Sequence, residues 1–182
     1  MSIATKYGDE GRTKLFTGES VSKSHIKVET YGNGDELISF LGWLKHDVRY
    51  FTDYIDWIQK KLFIINAVLA SGDESTKEKF TNLFLKDNKY DLQDILESLE
   101  AEYGIINEFI IPSETPSASK ADICRSVCRR FERTVVLLSE NETIDKNIII
   151  FINRLSDVLF MMARVIAKRE GGEYNGIKRS NT

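Results

Sequence analysis

A chain of 182 residues, 42% hydrophobic and 29% charged, is long enough to bury a sizeable core as one domain without disulfide staples. Its net charge of −3, from 25 basic and 28 acidic side chains, supplies no excess positive field for a nucleic-acid backbone. Two cysteines and two histidines leave no metal-ligand spacing of the C-x-x-C or H-E-x-x-H kind, and no apolar run reaches the ~20 residues of a membrane span. The opening M-S-I-A-T-K-Y-G-D-E-G has neither the basic and apolar blocks of a secretory signal nor an Arg/Ser-rich transit pattern, so a cytoplasmic protein is expected.

In chain order, residues 5–34 are not helical by pattern. Gly8, Gly11, Gly18, Gly32 and Gly34 are interleaved with Thr5, Lys6, Asp9, Thr13, Lys14, Thr17, Ser22 and Lys23. Glycine permits close backbone approach, hydroxyls donate hydrogen bonds and lysines add charge, which are the components of an anion cradle. They are equally the components of a polar loop, and the G-x-x-x-x-G-K-[ST] phosphate loop is absent.

From Asp35 the pattern turns helical. Leu37, Ile38, Leu41, Leu44 and Val48 recur at 3–4 spacing, with Gly34-Asp35 as the start. A second helix spans about 52–71, with Ile55, Ile58, Leu62, Ile65 and Leu69 as its stripe and Gly72 as its stop. Residues 73–88 are charged and carry at most a short amphipathic turn around Phe80, Leu83 and Phe84. A third helix covers 91–103 and ends at Gly104; Phe109-Ile110-Ile111-Pro112 breaks the pattern, and 112–119 is a Pro-, Ser- and Thr-rich loop.

The next helix, 120–139, puts Cys124, Val127, Cys128, Phe131, Val135 and Leu138 on an apolar face and Arg125, Arg129, Glu132 and Arg133 on a second stripe beside it. The cysteines, at i and i+4 on the core face, read as two buried thiols. A solvated charged face and a functional one are both compatible with that stripe. The last helix, 143–168, carries Ile148, Phe151, Ile152, Leu155, Leu159, Met162 and Ile166 in near-heptad order, and 169–182 reads as a disordered tail. The fold class is therefore all-α: an antiparallel five-helix bundle preceded by a polar Gly-rich segment. A di-iron bundle site is excluded, because neither His25 nor His46 has a glutamate three residues before it.

Three distant stretches together resemble one family. They are Thr5-Lys6-Tyr7-Gly8-Asp9-Glu10-Gly11-Arg12-Thr13, running on through Val21-Ser22-Lys23 to Val28-Glu29-Thr30-Tyr31-Gly32-Asn33-Gly34-Asp35-Glu36-Leu37-Ile38-Ser39; then Phe109-Ile110-Ile111-Pro112 with Arg125-Ser126-Val127-Cys128-Arg129-Arg130-Phe131-Glu132-Arg133; then Asn153-Arg154-Leu155-Ser156-Asp157-Val158-Leu159-Phe160. In that order they are similar to the PduO-type ATP:cob(I)alamin adenosyltransferases, over about residues 5–168. The resemblance implies one domain at 1–168, made of an ATP-binding segment at 5–34 and a helical bundle at 35–168. It also implies a homotrimer with an active site at each subunit interface. The implied reaction is attack of Co(I) of cob(I)alamin on the 5′ carbon of ATP, supplied with Mg²⁺, with triphosphate leaving and adenosylcobalamin formed. The corrinoid supplies the nucleophile, so no catalytic Ser, Cys or His is required.

Residue by residue, the resemblance implies ATP binding by Thr5, Lys6, Tyr7, Gly8, Asp9, Thr13, Lys14, Lys23 and Glu29, with Arg129, Arg130, Glu132 and Arg133 facing the triphosphate and Asn153 as their partner on the last helix. Arg125 and Asp35 match a charged pair that bridges two subunits beside the active site, and with Arg129 they are the candidate catalytic residues. Phe109 matches a corrinoid-binding aromatic that helps strip the lower axial ligand from cobalt. No Mg²⁺ ligand is identified by spacing. Tyr7, Lys14, Glu114-Thr115 and Asp122 depart from the residues usual in the family. A corrinoid reductase upstream and an adenosylcobalamin-dependent enzyme downstream are the implied partners. The alternative function is a non-catalytic trimer that holds ATP or adenosylcobalamin for delivery or sensing.

Overall fold

The computed structural model describes residues 7–104, 106–112, 114–173 and 176–177, with Tyr7 described by its backbone alone. Among the described residues six α-helices carry the fold: α1 (Ile26–Lys45), α2 (Thr52–Leu69), α3 (Glu74–Lys86), α4 (Leu92–Tyr103), α5 (Pro116–Ser139) and α6 (Lys146–Arg169). Two small antiparallel ladders accompany them. β1 (Arg12–Lys14) pairs with β2 (Ser20–Ser22), and β3 (Phe109–Ile110) pairs with β4 (Gly176–Ile177).

α6 is the central element. From Leu155 to Ala167 nearly every residue is buried, as expected of a helix that neighbours surround. Its apolar positions Ile152, Leu155, Leu159, Met162 and Ile166 meet Cys124, Cys128, Phe131 and Val135 of α5, and Leu37, Leu41, Ile55, Ile58, Leu62 and Ile65 of α1 and α2 complete the core. Burial of each such side chain contributes about 1.5–3 kcal/mol.

Polar rungs fix the order and direction of the helices. α1 and α2 are antiparallel, since Lys27 donates to the Ser71 carbonyl (2.9 Å), Gln59 to the Ile38 carbonyl (2.8 Å), and Lys45 pairs with Asp56 (2.6 Å). α5 runs antiparallel to α1, with Thr30 beside Thr134 and Asp47 beside Lys120, and antiparallel to α6, with Glu132 beside Asn153 and Asp122 beside Arg164. α4 lies along α6 in the same direction. Its start shares a cavity with Asn147 and Ile150, and Glu102 near its end binds Arg169 (2.6 Å).

Four boundaries differ from the sequence pattern. α1 begins at Ile26 rather than Gly34, so Gly32 and Gly34 sit inside a helix. Gly34 is there for close approach, because a Cβ would lie 2.1 Å from Oδ1 of Asn66 on α2. The segment read as a turn at best is the thirteen-residue helix α3, capped by Asp73, which accepts from Thr76 N (2.8 Å), and anchored by buried Phe84 against Phe151. α5 starts inside the expected loop, where Thr115 caps Ala118 N (3.2 Å) and Pro116 occupies the first turn. Within the segment read as a disordered tail, Gly176–Ile177 forms a strand against Phe109–Ile110. Among the described residues no helix is long and apolar enough to cross a membrane.

Candidate active site

The N-terminal candidates lie on a short turn and a hairpin that lead into α1. Gly8 belongs to a 3₁₀ turn, Tyr7–Glu10, and the Lys23 ammonium rests against it: a Cβ at Gly8 would be 2.9 Å from Nζ. Gly11, at φ +74°, turns the chain into β1, and its carbonyl accepts from Lys23 N (2.9 Å). Thr13 and Lys14 are on β1, opposite Val21 and Ser20. The far end of the hairpin is docked on the bundle, with Phe16 N donating to the Ala70 carbonyl (3.2 Å) and Gly72 N to Thr17 Oγ1 (3.0 Å). Asp9 is exposed on the turn. Thr5, Lys6 and the side chain of Tyr7 lie outside the described residues.

The charged residues of α5 divide between two flanks. Arg130 turns toward α1, where its Nε donates to Asn33 Oδ1 (3.0 Å) and its guanidinium pairs with Glu36. Asn33 in turn reaches Glu29 and Thr134, each at 3.5 Å, so Glu29 is tied to Arg130 through one amide. On the other flank Glu132 accepts from Asn153 Nδ2 (2.9 Å), joining α5 to α6. Arg129 and Arg133 are exposed between the two flanks and form no side-chain hydrogen bond or ion pair among the described residues. Two guanidinium groups held at the rim of fixed polar networks are suited to a polyanion.

Arg125 and Asp35 do not meet within the chain. Arg125 stacks over the Phe160 ring of α6 (5.4 Å to its centre), whereas exposed Asp35 accepts from Asn66 Nδ2 of α2 (2.8 Å). Arg125 and Phe160 also border a cleft of about 660 Å³ between α4, α5 and α6, together with Leu96, Ile106, Arg154 and Met161. Phe109, 63% exposed, stands on the edge ladder β3–β4. Phe160, the last residue of the third motif, lines this cleft although the sequence reading gave it no role of its own.

Neither cysteine is available as a nucleophile. Burial pushes the Cys124 thiol up to about 12 and raises that of Cys128 as well, so both stay protonated at neutral pH. His25 is occupied in capping α1, its Nδ1 accepting from Lys27 N (3.2 Å). The two thiols and this imidazole therefore offer no attacking atom.

A sequence profile of the family described as cobalamin adenosyltransferase matches residues 3–166. A corrinoid adenosyltransferase of Citrobacter freundii is 34% identical over 165 residues, covering 90% of this chain and 93% of that protein. The corrinoid adenosyltransferase MMAB of Homo sapiens is 35% identical over 178 residues, covering 94% of this chain and 71% of that one. Among solved structures, a variant PduO-type ATP:corrinoid adenosyltransferase from Lactobacillus reuteri, complexed with cobalamin and ATP, superposes with a TM-score of 0.84 at 28% identity, covering 99% of this chain and 98% of that one. The chain belongs to the cobalamin adenosyltransferase family.

Proposed function

We propose that this protein transfers the 5′-deoxyadenosyl group of ATP to the cobalt of cob(I)alamin, releasing triphosphate. The observation that carries the reading is the family match over residues 3–166, on a bundle whose α5 presents Arg129 and Arg133 between the Glu132–Asn153 and Arg130–Asn33–Glu29 networks. Displacement at carbon by Co(I) needs no protein nucleophile, which agrees with two protonated thiols and a histidine engaged as a cap. The protein's tasks are to hold both substrates in line and to stabilise the charge that gathers on the departing triphosphate.

In this reading Gly8, Asp9, Thr13, Lys14, Lys23 and Glu29, with Thr5, Lys6 and Tyr7 ahead of them, surround the nucleotide, and Arg129, Arg130, Glu132, Arg133 and Asn153 face its phosphates. ATP enters as its Mg²⁺ complex. Such a cation needs only one or two protein oxygens beside the phosphates. The corrinoid takes the cleft bordered by Arg125 and Phe160, with Phe109 displacing the lower axial ligand. Asp35 and Arg125 point to different flanks of one chain, so a direct pair between them requires a second copy. A homotrimer with shared sites, working in the cytoplasm, supplies it. A reductase must deliver Co(I), and an adenosylcobalamin-dependent enzyme consumes the product.

The test is an anaerobic absorbance time course with cob(I)alamin and Mg-ATP. Adenosylcobalamin and triphosphate are expected in equal amounts. Corrinoid that binds but stays unconverted would replace this reading with the non-catalytic carrier.

A further inference from the structure

Among the described residues the most buried charge lies next to the cleft but outside the α5 stripe. Arg164 of α6 is 0% exposed, and its guanidinium meets two carboxylates from different elements: Glu114 Oε2 at 2.8 Å, just before α5, and Asp122 on α5 itself. Both acidic side chains are almost fully buried. The same guanidinium lies 5.4 Å from the centre of the Phe160 ring, the distance at which Arg125 also stacks on that ring. Arg164 is one helical turn beyond Phe160, so both project from the same face of α6.

Glu114 closes the connection that begins at Phe109. That connection has two further anchors, the Phe109–Ile110 ladder with Gly176–Ile177 and the packing of Glu114 and Thr115 on Gly172. At Gly172 a Cβ would lie 2.7 Å from the Thr115 methyl and 3.0 Å from the Glu114 carbonyl. One positive and two negative groups in the interior carry a desolvation cost that well-packed apolar side chains would avoid, so stability alone does not account for them. Direction does: a guanidinium with two fixed carboxylates permits one relative placement of the connection, α5 and α6.

We propose that Arg164, acting through Glu114 and Asp122, is a positioning residue for the corrinoid half of the reaction: it holds the Phe109 connection and the Phe160 ring in register with each other. This rests on the adenosyltransferase reading. Arg164 is fully buried and touches no substrate, and its partners Glu114 and Asp122 stand at the N-terminal end of α5, about two helical turns before Arg129, the first of the phosphate-facing residues on that helix. Its loss therefore acts on the corrinoid and spares ATP.

The experiment compares Glu114→Gln, Glu114→Asp and Arg164→Lys with the unaltered protein. Glu114→Gln removes one charge from a cluster with an excess of negative groups, so this variant is expected to fold. It should lower kcat/KM for cob(I)alamin between about tenfold and a hundredfold, the range for a small displacement of a reacting group. ATP affinity by calorimetry should stay within about twofold, since that contact is untouched. Mixed with cob(II)alamin and ATP, the variant should also give a smaller absorbance change for loss of the lower ligand, and Glu114→Asp should recover part of it. Equal loss toward ATP and corrinoid, or a fall in melting temperature with no change in the cob(II)alamin spectrum, would reduce the cluster to a structural tie and overturn the proposal. An unaltered protein that fails to adenosylate overturns the enzyme reading instead; a cob(II)alamin spectrum that responds to Glu114→Gln would still support the positioning role.

Discussion

Two sets of arginines on the packed pair α5 and α6 differ in exposure and in partners, the two properties that decide their use. Arg129 and Arg133 are exposed on α5 and lack side-chain partners among the described residues, while Arg164 is wholly enclosed and holds two carboxylates. An exposed guanidinium keeps its hydration until a ligand takes its place, so its charge remains available to a substrate. An enclosed one has already lost its hydration and is committed to its neighbours. The first set suits recognition and the second suits placement, and substitutions in each should separate stability from activity in opposite directions.

The largest effect is expected from Arg164→Met. Removing the cation leaves Glu114 and Asp122 buried without compensation, at a cost of about 3–5 kcal/mol in unfolding free energy. Desolvation pushes both carboxyls above their ordinary range, with Arg164 pulling each partly back. A carboxyl raised in the folded state binds its proton more readily there than in the unfolded chain. Stability therefore falls as pH rises from the usual carboxylate range through the raised folded values. Without Arg164 that fall should steepen, so urea melts should show the variant deficit widest at neutral pH and narrowing toward acid. A deficit independent of pH would mean that the two acids are not what Arg164 compensates.

Arg129→Ala should do the reverse. Loss of one charged contact to the departing triphosphate raises the barrier by about 3 kcal/mol, roughly a hundredfold in kcat. The side chain is exposed, so stability should stay within about 0.5 kcal/mol. Unimpaired turnover would remove Arg129 from the triphosphate site. Between these extremes lies Asp35 with Arg125. Exchanging the charges singly, as Asp35→Arg or Arg125→Asp, should weaken activity, and the double exchange should restore part of it, with a coupling of about 0.5–3 kcal/mol for groups in contact. Strict additivity would exclude a direct pair between subunits.

How much of this the sequence could convey depended on whether a feature was periodic or paired. The core of α6 was legible because Ile148, Ile152, Leu155, Leu159, Met162 and Ile166 recur along one helix, and all are buried. The start of α1 was not, since Gly32-Asn33-Gly34 reads as a breaker until Asn66 is seen against Gly34 from another helix. α3 was hidden by its charge, although Asp73 three residues before Thr76 is a cap signal and Phe84 supplies the anchor. The α5 stripe of Arg125, Arg129, Glu132 and Arg133 appeared as one face, and its paired members Arg125 and Glu132 both meet α6, while Arg130, outside that stripe, turns to α1. Arg164 gave a weaker trace. A single charge inside Met162-Ala163-Arg164-Val165-Ile166 demands a partner, and nothing local says that Glu114 and Asp122 provide it.

The smallest effect belongs to a third arginine, which completes the series from buried to open. Arg169, at the end of α6, grips Glu102 of α4 with two of its guanidinium nitrogens, Nε and Nη2, each at 2.6 Å, while packing over the Tyr50 ring at 4.4 Å. Its geometry is at least as good as that of Arg164, yet both partners are more than a third exposed, so water and salt screen the attraction. The hydrogen bond from Arg169 holds the Glu102 carboxyl below its ordinary range. A depressed carboxyl contributes stability above its unfolded value and loses it as pH falls through the folded one. Glu102→Gln should therefore cost less than about 1 kcal/mol at neutral pH, and the difference should shrink below the glutamate range and in high salt. Urea midpoints at two pH values and two salt concentrations measure it. A deficit as large as that of Arg164→Met would mean that bidentate geometry, rather than burial, sets the worth of an arginine in this fold.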